Sequence, residues 1–78
     1  VRSECHFSNG TQRIRALERH FFDRQELMYF DSDRGKFVAV AELGEFQAKR
    51  WNQDKDLLQR QMAYVDLFCR HNYGIYEP

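Results

Sequence analysis

Cys5 and Cys69 stand near opposite ends of a 78-residue chain, and no other feature limits the fold so strongly. A chain this short makes one domain with a modest core, and a covalent tie or a partner subunit commonly supplies the rest of its stability. If the two thiols pair, they close almost the whole chain into one loop, worth about 4 kcal/mol in the chain-entropy model. Two buried free thiols of a cytosolic protein fit the same spacing. The triplet Asn9-Gly10-Thr11 shifts the balance. It is an N-glycosylation acceptor set on a turn, which points to a secreted or lumenal chain and so to a Cys5–Cys69 disulfide.

The hydrophobic pattern changes period once, near Gly44. Before it the chain reads as strands. Cys5 and Phe7 lie on a first strand that ends at the Asn9-Gly10 turn, and Gln12–Phe22 is a second. A polar break over Asp23–Glu26 precedes a third strand, Leu27–Asp31. The turn Ser32-Asp33-Arg34-Gly35 leads into a fourth, Lys36–Ala41. Short connections imply an antiparallel meander. On the second strand one face carries Ile14, Ala16, Glu18, His20 and Phe22, and the other carries Arg13, Arg15, Leu17, Arg19 and Phe21. Neither face is cleanly apolar, as expected of a sheet whose upper surface is a binding floor rather than a simple core lid.

After Gly44 the pattern is helical. Gln47–Trp51 makes a short first segment, and Asn52 or Asp54 can cap a restart. Leu58, Met62, Val65 and Cys69 recur at helical spacing and form the stripe that lies on the sheet, bringing Cys69 down to Cys5. The neighbouring stripe mixes Leu57, Gln61, Tyr64, Phe68, Asn72 and Ile75, an alternation of aromatics and amides suited to a wall facing a ligand. Lys55, Asp56, Gln59, Asp66 and Arg70 form a solvated face. The fold class is therefore α+β: a four-stranded antiparallel sheet followed by one long kinked helix across it.

Twelve Lys plus Arg balance twelve Asp plus Glu, which argues against a nucleic-acid or membrane-surface protein. No apolar run reaches the length of a membrane span. Val1 and Pro78 read as cut ends of a longer chain. His6, His20 and His71 beside two cysteines raise a Cys-His nucleophile or a metal site. A disulfide would remove both thiols, however, and no spacing matches a closed zinc site. No cofactor is expected, and the chain does not read as an enzyme.

Cys5-His6-Phe7, Asn9-Gly10-Thr11, Phe30-Asp31-Ser32-Asp33, Trp51-Asn52 and Cys69-Arg70-His71-Asn72-Tyr73 occur in an order and spacing that resembles the membrane-distal β1 domain of an MHC class II β chain. The likeness covers nearly all of residues 1–78. It implies half of a platform that binds antigenic peptides, completed by a class II α chain and displayed to T-cell receptors. It also implies dealings with the invariant chain and a peptide-exchange factor. The domain would lie on the lumenal or extracellular side of an anchored protein of the cell surface and the endosomal-lysosomal compartments. A non-classical β chain that modulates peptide loading without presenting peptide is the competing function within the family. An exchanger need not hold peptide and should lose the backbone-pairing residues, all of which this chain keeps, whereas an inhibitory homologue that mimics a loaded partner can keep them.

By that resemblance Trp51, His71 and Asn72 pair with peptide backbone. The indole is a donor only, Asn72 offers both a donor and an acceptor, and His71 can donate a ring N–H. Ser3, Ala16, Glu18, Arg60, Gln61, Tyr64 and Phe68 gather at the central pocket, with Val1 and His20 in the neighbouring floor. Leu27, Gln47, Arg50 and Trp51 approach the pocket for the C-terminal anchor, and Ile75 and Tyr76 that for the N-terminal anchor. Phe37 and Leu57 complete the set. The chain departs from the family pattern at four places. Gln47 stands where Asp is common, Glu45-Phe46-Gln47 lacks a usual Pro, Arg50 replaces a frequent aromatic, and Tyr76 is large where a small residue is usual. Glu18 and Arg60 are placed either to pair across the central pocket or to await charged peptide residues.

Overall fold

The computed structural model describes residues 1–8 and 13–76, without the side chains of Ser8, Tyr73, Ile75 and Tyr76. Four strands, β1 (Arg2–Ser8), β2 (Arg13–Phe22), β3 (Gln25–Asp31) and β4 (Lys36–Ala39), form one antiparallel sheet in chain order. Two helices follow, α1 (Glu42–Asn52) and α2 (Lys55–Tyr76). The architecture is the expected α+β meander under helix. The single kinked helix is two helices, parted at Gln53 and Asp54.

Register assigns the faces. Ser3 lies opposite Glu18, Cys5 opposite Ala16 and Phe7 opposite Ile14, while Phe30 lies opposite both Glu18 and Phe37. All these residues point toward the helices. Ala16, Met28, Phe30, Phe37, Ala48, Val65 and Cys69 make the buried core between sheet and helices. Val65 and Cys69 are buried, and Leu58 and Met62 pack partly against the core, so the helical stripe read from the sequence is the one that meets the sheet. Cys5 and Cys69 are disulfide-bonded with their Cα atoms 5.6 Å apart.

Several element ends differ from the expected ones, each for a local reason. The break between β2 and β3 is only Asp23-Arg24. Both adopt left-handed backbone (φ 53° and 67°), as a two-residue type I′ hairpin requires, so Gln25 and Glu26 remain in the ladder. β4 stops at Ala39, but Val40 and Ala41 still donate to the Leu27 carbonyl, at 2.8 and 3.1 Å. Helix α1 begins at Glu42 rather than Gln47. Ala41 is the N-cap with no side-chain bond, and Glu42 and Glu45 place negative charge in the first turn, where the helix dipole favours it. Gly44 does not end a segment but sits buried inside α1, because the Leu27 carbonyl lies where its Cβ would be.

The helix break assigns separate tasks to Asn52 and Asp54. Asp54 Oδ1 accepts from the Leu57 amide at 3.1 Å, so Asp54 caps α2. Asn52 instead accepts from the Phe37 amide at 2.7 Å and donates to the Phe37 carbonyl at 2.9 Å. Its side-chain amide thus pairs with the outer edge of β4 and fixes the end of α1 to the sheet.

The opposite face of the sheet is ionic and internally paired. Arg19 donates to Glu4 at 3.0 Å and to Glu26 at 2.9 Å, and lies over the Tyr29 ring. That guanidinium holds the Glu4 carboxyl below the usual carboxylate range, against the opposing effect of burial. Asp31, only 1% exposed, takes a two-pronged bond from Arg15 at 3.2 and 2.7 Å. It also accepts from the Asp33 amide, while Ser32 exchanges bonds with the Ala16 backbone. The Phe30-Asp31-Ser32-Asp33 segment is therefore a clasp that binds the β3–β4 turn to β2.

Candidate functional site

The site is built where the helix-facing side of β2 meets the two helices. Glu18 and His20 are successive upward residues of β2. Glu18 is 7% exposed, and Gln61 of α2 donates its amide N–H to Glu18 Oε2. The pairing of Glu18 with Arg60 raised by the sequence is not formed. Arg60, one position before Gln61 on the helix, is exposed. Gln61 lies on the stripe that faces inward, so it makes the bond.

His20 lies edge-on to Phe37 and to Trp51, with ring centroids 6.0 and 5.8 Å away, and Trp51 packs edge-on against Phe37 at 5.1 Å. The imidazole Nε2 is buried without a hydrogen-bond partner, 3.9 Å from Glu18 Oε2. Burial pushes the His20 pKa down, and the nearby Glu18 charge opposes the shift only in part. The ring is therefore neutral at physiological pH, and the carboxylate beside it has no full positive charge as neighbour.

Other residues of the expected site spread along the same surface. Ala16 and Phe37 lie deep in the core beneath it, and Ser3, Leu27, Gln47, Leu57, Phe68 and Asn72 are half-buried. Tyr64 is 55% exposed and stacks on Phe68, with ring planes 13° apart. Val1, Arg50, Arg60 and His71 are exposed. The side chains of Ile75 and Tyr76, and the acceptor Asn9, lie outside the described residues. Among the described residues no cluster of three or more His, Cys, Asp or Glu could hold a metal, and both cysteines are consumed by the disulfide.

Residues 1–77 match the family described as class II histocompatibility antigen, beta domain. The chain belongs to the class II histocompatibility antigen β-domain family. It is 54% identical over 74 residues to the human HLA class II DRB1 beta chain, covering 95% of this chain and 28% of that one. It is 51% identical over 77 residues to the dog DLA class II DR-1 beta chain, covering 99% of this chain and 29% of that one. It is 52% identical over 75 residues to the mouse H-2 class II E-D beta chain, covering 96% and 28%. The chain thus spans less than a third of the length of these relatives.

Within this class II β domain, three structural residues escaped the sequence reading. Asn52 was visible only as a possible cap, because its bond to Phe37 joins positions 15 residues apart. Arg15 and Asp31 were read as members of a mixed face and of a motif. Their pairing follows only once register sets β2 beside β3 with Leu17 opposite Asp31.

Proposed function

We propose that this domain is the β-chain half of a peptide-binding groove that presents antigenic peptides to T-cell receptors, with a class II α chain supplying the other half. The observation that carries the proposal is the state of the upper surface. In a family member, it holds a buried imidazole nitrogen without a partner and a nearly buried carboxylate without a cation. Glu18 lies beneath the α2 wall, and His20 lies beside it against Trp51 of α1. Buried polar groups left in this state cost free energy unless something arrives to pair with them. The sheet supports the same reading, because β1 is an edge strand with no strand on its outer side among the described residues. Such an edge is a natural seam for a second sheet.

Trp51 at the end of α1 and His71 and Asn72 on α2 serve the peptide backbone, and Val1, Ser3, Glu18, His20, Leu27, Gln47, Leu57, Arg60, Gln61, Tyr64, Phe68, Ile75 and Tyr76 serve its side chains. Ala16 and Phe37 form the layer under the floor. The domain acts on the lumenal or extracellular side of an anchored protein, with the invariant chain and a peptide-exchange factor as further partners. Backbone pairing is indifferent to peptide sequence, and this sets the test. In the assembled αβ heterodimer, Asn72→Ala should speed the dissociation of several unrelated peptides by a similar factor. The loss corresponds to about 1–3 kcal/mol for a desolvated pairing. Acceleration of some peptides and not others would show that Asn72 reads side chains, and unchanged rates for all would remove it from the groove.

A further inference from the structure

A hydrogen-bond donor serves a ligand only if it is aimed, because the bond weakens steeply as its angle closes. The Trp51 ring is held by contacts that restrain it loosely. It lies edge-on to Phe37 at 5.1 Å and to His20 at 5.8 Å, and edge-to-face packing tolerates a wide range of ring positions. The backbone that carries the indole must therefore be fixed by something else. Helix α1 is tied at its start, where the Val40 and Ala41 amides reach the Leu27 carbonyl, and along its middle by the buried Gly44 and Ala48. Its end lies one residue past Trp51, just before the break at Gln53 and Asp54. Among the described residues, the only side-chain hydrogen bonds joining α1 to the sheet are the two that Asn52 makes there, to the Phe37 amide at 2.7 Å and the Phe37 carbonyl at 2.9 Å.

Phe37 is thus held on two sides: Asn52 grips its backbone, and its ring meets Trp51. We infer that Asn52 is a positioning residue for the peptide site: its two-pronged bond sets the rotation of the end of α1 and so aims the Trp51 indole N–H at the peptide backbone. The inference rests on the peptide-groove reading above. Two bonds from one planar amide to the N–H and C=O of one residue fix the helix end in rotation as well as in distance, which a single bond does not. That rotation decides where the preceding side chain points, and a functional group is only as precise as the residues that hold it. The task also demands an amide. A carboxylate at this position accepts from the Phe37 N–H but has nothing to donate to the carbonyl, and leucine, of similar shape, does neither.

The test is a double-mutant cycle on peptide dissociation from the αβ heterodimer. Trp51→Phe keeps an aromatic ring and deletes the N–H, and it should speed the dissociation of unrelated peptides by about fivefold or more. Asn52→Leu should act by a similar factor while the indole is present, and by less than about twofold in the Trp51→Phe background, where no donor is left to misaim. Asn52→Asp keeps one of the two bonds and should show the same dependence on background with a smaller factor, which serves if Asn52→Leu does not assemble. A general loss of stability acts alike in both backgrounds, and Asp31→Asn on the opposite face of the sheet supplies that comparison. Hydrogen exchange of the Trp51 indole N–H, identified by the loss of its resonance in Trp51→Phe, gives a second readout. Peptide should slow this exchange in wild type and protect it less in Asn52→Asp. Equal acceleration by the Asn52 substitutions in both backgrounds overturns the positioning role and leaves the groove reading intact. So does wild-type indole protection in Asn52→Asp, or a background dependence of Asp31→Asn that matches that of the Asn52 variants. If Trp51→Phe leaves the dissociation of every peptide unchanged, Trp51 does not serve the peptide backbone, and the inference falls with that part of the groove reading.

Discussion

Gly44 sets two familiar effects against each other, and the structure decides between them. In the interior of a helix, Gly→Ala ordinarily stabilises by about 1 kcal/mol. Here a Cβ on residue 44 would lie 2.1 Å from the Leu27 carbonyl oxygen, 2.7 Å from its carbon and 3.2 Å from Leu27 Cβ. A comfortable carbon–oxygen contact needs roughly 3.3 Å or more, so helix and strand must part by about 1 Å. The obstacle is backbone, and that same oxygen accepts from the Val40 and Ala41 amides. Overpacking of this kind costs about 1–3 kcal/mol, and weakening a partly buried hydrogen bond about 1 kcal/mol more. Set against the propensity gain, Gly44→Ala should destabilise the domain by about 2 kcal/mol. Gly74 in α2 is the internal control, because among the described residues nothing lies within 4 Å of its Cβ position. Gly74→Ala should stabilise by up to about 1 kcal/mol. Chemical unfolding of the assembled protein gives both values, and amide exchange at Val40 and Ala41 should quicken only in Gly44→Ala. The reasoning is refuted if both alanine variants stabilise equally and exchange at Val40 and Ala41 is unchanged.

Asn52→Ala should lower stability by about 1–3 kcal/mol, because it strands a partly buried N–H and C=O of Phe37. Hydrogen exchange at the Phe37 amide checks it, with unchanged protection as the contrary result. The pH prediction concerns Asp31. Arg15 beside it holds its carboxyl below the usual carboxylate range, against the opposing effect of burial. A depressed native pKa means that the unfolded chain takes up the proton first as pH falls. The contribution is therefore complete above about pH 4 and is lost as pH drops through the native value, so mildly acidic compartments leave it intact. Unfolding free energy measured from pH 7 to 2 should fall more steeply below about pH 4 in wild type than in Asp31→Asn. Parallel curves would show that Asp31 carries no such linkage.

The sheet order and the helical stripe ending in Cys69 were legible because each rests on local periodicity, and the disulfide because that stripe brings Cys69 to the sheet while the Asn9-Gly10-Thr11 acceptor points to an oxidising compartment. Leu58, Met62, Val65 and Cys69 share one face at any helix length, and a face so apolar has one place to go. The start of α1 was not legible, because Gly44 and Ala41 carry no capping signal and the helix is held from Glu42 by its fit against Leu27. The Asp23-Arg24 hairpin was hidden for a similar reason. Two non-glycine residues with positive φ are imposed by strand twist and the ladder around them, and their identities do not announce it. At the site, the helical spacing of Leu57, Gln61, Tyr64 and Phe68 was readable. The partner of Glu18 was not, since Arg60 and Gln61 differ by one position and the choice between them depends on how α2 is rotated over β2.

That rotation also separates the two kinds of work done by β2. Its downward residues Arg15 and Arg19 find their carboxylates within the chain, from β1 and from both ends of β3, so that face completes itself on folding. Its upward residues Glu18 and His20 end folding incompletely satisfied, one with an amide for a neighbour and the other with a nitrogen that meets only aromatic edges. Alternation along a strand is usually a contrast of apolar with polar. Along β2 the contrast is between charges matched by an opposite charge and polar groups that are not. Rotating α2 by one residue would present Arg60 to Glu18 in place of Gln61. By presenting Gln61 instead, the helix holds the carboxylate in place with a neutral amide and brings no cation to it.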